Sequence, residues 1–104
     1  MAQFDVYENP NPATSEIVPY LLDLQSDLLD DLATRVVAPL VTLEGMELQA
    51  RFLNPVFTIG ERQVVMSTAE LAGISRRDLG DRVTSLIEER DRIIGALDFL
   101  FTGF

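Results

Sequence analysis

Pro55-Val56-Phe57-Thr58-Ile59-Gly60-Glu61-Arg62-Gln63-Val64-Val65-Met66 reads as two β-strands joined by the short loop Gly60-Glu61-Arg62, and the residues after Met66 keep a different period. Val56, Thr58, Ile59, Val64 and Val65 are β-branched, and the glycine between them marks a hairpin. Past Met66, Ser67-Thr68-Ala69-Glu70 has capping-box spacing and predicts a short helical turn that Gly73 ends. Beyond Ser75 the apolar residues Leu79, Val83, Leu86, Ile87, Ile93, Ile94, Leu97 and Phe101 fall at steps of three, four and seven. That stripe predicts an α-helix from about Asp78 to Leu100, roughly 34 Å long, capped by Ser75 or Asp78 and followed by Gly103. Met66 therefore divides a strand-rich part from a helical one.

Upstream of the hairpin the chain keeps the strand period. Gln3 to Tyr7 alternates with Phe4 and Val6 on one face. Glu8-Asn9-Pro10-Asn11-Pro12-Ala13-Thr14-Ser15-Glu16 breaks the pattern as an exposed loop. From Ile17 to Gln25, Tyr20, Leu22 and Leu24 share one face and Leu21, Asp23 and Gln25 the other. Arg35-Val36-Val37-Ala38-Pro39-Leu40-Val41 is a further strand whose proline suggests a bulge or an edge, and Glu47 to Leu53 is a weaker one. No internal repeat or linker interrupts these elements. The expected fold class is one domain, residues 1–104, mainly antiparallel β with a C-terminal helix.

Composition narrows the function. Hydrophobic residues make up 47% of the 104, enough for a packed core, and there is no cysteine and no histidine. That removes disulfides, thiolate or imidazole metal sites, the commonest general base and the usual nucleophilic triads. No glycine-rich loop leads from a strand into a helix to cradle a nucleotide. Seventeen acids face eight bases, all arginine, for a net charge of −9. Such a chain repels a phosphate backbone and an anionic membrane surface, so direct nucleic-acid or membrane binding is not expected, and a partner of the acidic surface should be basic. Met1 to Asp5 has no basic segment leading into an apolar one, and Ile93 to Phe104 is too short to span a bilayer, so a cytoplasmic location is expected.

Acidic runs at Asp23, Asp27, Asp30 and Asp31 and at Glu88, Glu89 and Asp91 can in principle pair as acid and base or hold magnesium. In a chain this acidic they read as solvated faces, and Glu88 with Arg92 has the spacing of a surface i,i+4 pair. The tail Asp98-Phe99-Leu100-Phe101-Thr102-Gly103-Phe104 is unusual, with three phenylalanines in the last six residues. These rings either pack into the core or a dimer seam, or meet a partner as aromatic anchors. The expected function is protein binding, with no reaction catalysed and no cofactor or metal.

Several segments together resemble the CcdB toxin family of bacterial toxin–antitoxin modules. Gln3-Phe4-Asp5-Val6-Tyr7 is similar to its opening strand, and Asp23-Leu24-Gln25-Ser26-Asp27-Leu28-Leu29-Asp30 to its most recognisable stretch. Arg35-Val36-Val37-Ala38-Pro39-Leu40, Asn54-Pro55-Val56-Phe57-Thr58-Ile59-Gly60 and Met66-Ser67-Thr68 come after it in the family's order. An apolar helix before a penultimate glycine completes the likeness. The resemblance implies a compact SH3-like β-structure with a C-terminal helix, as in the CcdB, Kid and MazF toxins, assembled as a homodimer. It also implies a toxin that binds the A subunit of DNA gyrase and traps the enzyme on cut DNA. A CcdA-type antitoxin neutralises it, and the pair represses its own operon through the antitoxin.

In the family, gyrase contact is carried by a final tryptophan, glycine and isoleucine, matched here by Thr102, Gly103 and Phe104. Gly103 agrees, Phe104 is an apolar replacement, and Thr102 departs from the aromatic anchor, whose loss typically costs about 2–4 kcal/mol. Phe101 stands beside them, and Leu28-Leu29 matches positions that flank the same surface, with core packing as the other reading of that pair. Two alternatives stand beside gyrase poisoning: a chain that binds antitoxin without poisoning gyrase, and a MazF- or Kid-like ribonuclease using Arg76, Arg77 and Asp78. The charge yields a first prediction. Affinity for a basic antitoxin segment should fall steeply between about 0.05 and 0.5 M salt in a titration, whereas an affinity flat in salt would remove charge from the recognition.

Overall fold

The computed structural model describes residues 1–45 and 52–103, and its elements follow from short β-branched and alternating runs. They are β1 (Asp5–Glu8), β2 (Tyr20–Asp23), β3 (Thr34–Thr42), β4 (Val56–Ile59), β5 (Arg62–Met66), β6 (Ala72–Ser75), β7 (Arg82–Ser85) and α1 (Arg90–Thr102). The strands form one antiparallel sheet in the order β4-β5-β3-β2-β1-β7, with β6 also paired to β3. The expected class, mainly antiparallel β with a C-terminal helix, is the one observed.

The hairpin forms where its sequence places it, with Ile59 opposite Arg62, so the loop shortens to Gly60-Glu61. Long β3 organises the sheet. Its Leu40–Thr42 end pairs with β5 and its Thr34–Val37 end with β6. Pro39 lies between the two pairings, opposite Leu21 of β2, and its carbonyl accepts from Ser67 N at 2.9 Å. The proline thus marks a hand-over between neighbours in a central strand, not a sheet edge. The weaker strand expected over Glu47 to Leu53 lies mostly outside the described residues, and Phe52 and Leu53 form a turn.

The long helix expected from Asp78 is cut to 13 residues, about 20 Å. In place of its first turns, Arg82–Ser85 pairs with β1, Ser85 opposite Asp5 and Thr84 opposite Val6. Gly80 makes that approach possible: its N–H donates to Glu8 O at 2.9 Å, and a Cβ there would lie 2.8 Å from the same oxygen. Hydrogen bonds along the exposed side of β1 outweigh the helical spacing of Leu79 and Val83, and Val83 remains 38% exposed. The Ser67 box gives a single 3₁₀ turn, Thr68–Glu70, in which Ser67 Oγ donates to Glu70 Oε1 at 2.5 Å without capping the backbone. Gly73, expected to end that turn, sits in β6 opposite Val36.

One face of the sheet holds the core: Phe4, Val6, Leu22, Leu24, Ala38, Leu40, Phe57, Val64 and Met66, closed by Ile93 and Ala96 of α1. Arg92 fastens the start of α1 to the edge strand, with Nη2 2.7 Å from Val56 O and its guanidinium 4.8 Å from the centre of the Phe57 ring. Its carboxylate partner is Glu89 at 3.0 Å, one residue from the expected Glu88, because the helix starts only at Arg90. Ile93 is fully buried. Ile93→Ala should therefore cost about 2–5 kcal/mol in urea unfolding, and a loss under about 1 kcal/mol would mean that α1 does not close the core.

Candidate protein-binding site

The sheet face opposite α1 carries charge. Asp23 on β2 and Arg35 on β3 are both fully buried, with Arg35 Nη2 2.5 Å from Asp23 Oδ2. Asp23 also accepts from Gln25 N at 3.0 Å. The acidic run read as one solvated face therefore breaks at its first member, while Asp27 and Asp31 are exposed as expected. Burial pushes the Asp23 carboxyl above its ordinary value, against the pull of the Arg35 and Gln25 hydrogen bonds. Arg35 loses to burial and gains more from Asp23 and Asp30, so it stays charged. Tyr7 on β1 completes the group, its hydroxyl 3.4 Å from Asp5 Oδ2, and Arg82 Nε reaches the same oxygen at 3.2 Å.

This buried network anchors the loop after β2. Gln25, itself buried, donates through Nε2 to Leu29 O at 2.9 Å and Thr34 O at 3.1 Å, and accepts from Val36 N at 3.0 Å. Ser26 Oγ caps the 3₁₀ turn Asp27–Leu29 by accepting from Leu28 N, and Asp27 Oδ1 accepts from Gln3 N at 2.7 Å. Asp30 Oδ1 takes Arg35 Nη1 and Arg76 Nη2, each at 2.9 Å. The loop so held presents apolar side chains to solvent: Leu28 is 94% exposed, Leu29 50% and Leu32 49%. Core packing for Leu28-Leu29 is thereby corrected, since the backbone bonds fix a turn whose side chains face outward.

The second group lies at the end of α1. Phe101 is 70% exposed and Phe99 38%, so Phe101 leaves the apolar stripe that buries Ile93 and Ala96. Thr102 Oγ1 turns back to Asp98 O at 2.6 Å. Gly103 ends the helix in the left-handed region at φ 79°, its N–H donating to Phe99 O, a conformation that a side chain would strain. Phe104 lies outside the described residues. Among the described residues no hydrogen bond or ion pair joins the 27–30 turn to the 98–103 end. Nor do three acids converge as a metal site.

Leucines on the 27–30 turn and phenylalanines at the end of α1 are thus the exposed apolar side chains of these two elements, the side-chain types that anchor protein interfaces. The family model described as CcdB protein matches residues 3–103. The chain belongs to the CcdB family. Membership gives it the general role of the toxin in a toxin–antitoxin pair, and the match takes in Leu28, Leu29, Phe101, Thr102 and Gly103. What the sequence did not reveal in this CcdB chain is the buried anchoring of that loop. The available signal was one charge of each sign, Asp23 and Arg35, inside otherwise apolar strands.

Tyr7 reports on the anchor. Burial, then Asp5 and Asp23, raise its phenol above the ordinary value of 10.0. A phenol held neutral in the fold contributes stability that is complete below the unfolded value and lost as pH rises through the folded one. Unfolding free energy should thus decline from about pH 10 upward, and Tyr7→Phe should flatten that decline. An unchanged alkaline slope in Tyr7→Phe would show that the phenol is not coupled to this network.

Proposed function

We propose that this chain binds the A subunit of DNA gyrase as a homodimeric poison, is neutralised by a CcdA-type antitoxin, and joins it in repressing their operon. Family membership supports the general role, and the exposure of Leu28 and Phe101 on braced elements carries the specific one. Solvent contact of such side chains costs free energy that a partner surface recovers, and an already ordered loop and helix end lose little entropy on binding. Phe99 and Leu100, beside Phe101 on α1, are also only partly covered, which supports a dimer seam near the helix end. No catalysed reaction is proposed. Arg76, the first of the three residues weighed for RNA cleavage, commits its guanidinium to Asp30, and the charge of −9 opposes RNA. No helix among the described residues is long and apolar enough to cross a membrane, and action on gyrase places the proposed toxin in the cytoplasm.

A second reading keeps the antitoxin and drops gyrase poisoning. It is favoured by Thr102, whose hydroxyl is tied to Asp98 O where the family presents a tryptophan. A supercoiling assay separates the two. Under the gyrase reading, wild type inhibits, Thr102→Trp inhibits at lower concentration by up to about 30-fold, and Phe101→Ala and Leu28→Ala each weaken inhibition about 10-fold or more. Both alanine variants should unfold within about 0.5 kcal/mol of wild type, since the side chains are exposed. Antitoxin binding by a wild type that leaves gyrase untouched would select the second reading.

A further inference from the structure

We infer that Arg76 is a positioning residue for the Leu28–Leu29 turn, acting through Asp30; its bearing on binding rests on the role proposed above for that turn. Asp30 directly follows the exposed leucines, and its carboxylate is shared by guanidinium groups from two distant places. Arg35 Nη1 reaches Oδ1 at 2.9 Å from β3, where Asp23 holds it buried. Arg76 Nη2 reaches the same oxygen at 2.9 Å from the 3₁₀ turn Arg76–Asp78, and also donates to the Asp30 carbonyl. The outer half of the loop therefore sits between one fixed buried cation and one half-exposed cation.

Apart from the bonds Gln25 Nε2 to Leu29 O and Leu29 N to Ser26 O, each 2.9 Å, little else holds that half. Leu28 has almost no packing of its own, and the bonds Asp30 N to Asp27 O and Leu32 N to Leu29 O are both long at 3.2 Å. Asp31, Leu32 and Ala33 are exposed. Arg76 Nε is buried without an acceptor among the described residues. Its guanidinium thus forgoes one hydrogen bond in the pose that reaches Asp30, which makes Asp30 the group that sets its place. Arg76 N donates to Ala33 O at 3.2 Å through the backbone, so shortening the side chain removes the clamp and leaves that link. A pre-ordered turn binds more tightly because less of its free population lies outside the competent form.

The test is amide hydrogen exchange of the free chain, wild type against Arg76→Ala and Arg76→Lys, beside titration with the gyrase A subunit. Arg76→Ala should speed exchange at Leu29, Asp30 and Leu32 about tenfold while Leu24 and Leu86 keep wild-type protection. Arg76→Lys should restore part of the protection, since an ammonium supplies the charge without the guanidinium fork. Gyrase affinity should drop with Arg76→Ala in the wild-type background and hardly at all in a Leu28→Ala background. Unchanged exchange at the three amides, or equal acceleration at Leu24 and Leu86, would overturn the inference. Equal affinity losses in both backgrounds would overturn it as well. Local acceleration in a chain whose wild type does not bind gyrase would support the clamp and overturn the gyrase reading instead.

Discussion

Asp23 and Arg35 lie diagonally across β2 and β3, and because neither touches solvent their pairing constrains everything around them. A buried ion pair recovers its desolvation only with close geometry and further hydrogen bonds, and removing one partner typically costs about 3–5 kcal/mol. The pairing therefore fixes register: slipping β2 by one residue would turn Asp23 toward the apolar face that holds Val6, Leu22 and Leu40. It also divides the sheet. The α1 side is an apolar core, whereas the opposite side buries Val37, Val41 and Val65 beside a polar group of Asp5, Tyr7, Asp23 and Arg35 that reaches outward through Asp30. The exposed leucine turn is an extension of that group.

Elements made from local contacts were legible in the sequence. The Pro55–Met66 hairpin, the Asn9–Glu16 part of the expected loop (Glu8 instead pairs with Tyr20 in β1) and the glycine at the end of the helix depend on neighbours within a few residues, and the alternation from Tyr20 to Leu24 marked the face that β1, β3 and α1 bury. Asp23 was not legible, because its partner is 12 residues away on another strand, and an acid in an acidic segment looks solvated. The segment Leu79–Ser85 fitted a helical stripe as well as a strand. Its fate was decided by the free edge of β1, a tertiary demand that periodicity does not carry. The leucines of the candidate site could be named from family resemblance, but their outward direction came only from the backbone bonds around Gln25 and Ser26.

Rigidity and exposure are divided between different residues here. Gln25, Arg35 and Asp23 are buried and hold position, while Leu28, Leu29 and Phe101 are exposed and available for contact. The helix end is built on the same scheme, with Ile93 and Ala96 in the core and Gly103 closing the last turn beneath Phe101. Thr102 contributes a backbone hydrogen bond and no ring, so the exposed rings at the described end of α1 are those of Phe99 and Phe101. A toxin built this way would owe its specificity to where these few side chains are held.

The most direct measurement of that claim is the amide NMR spectrum of the isotope-labelled chain titrated with the gyrase A subunit. Shifts or broadening should concentrate at Leu28, Leu29 and Phe99 to Gly103. The Gly60-Glu61 turn and the buried strand β5 should stay unperturbed. Perturbation centred on the hairpin or the Glu8–Glu16 loop, with the leucine turn and the helix end silent, would contradict the assignment of the binding surface.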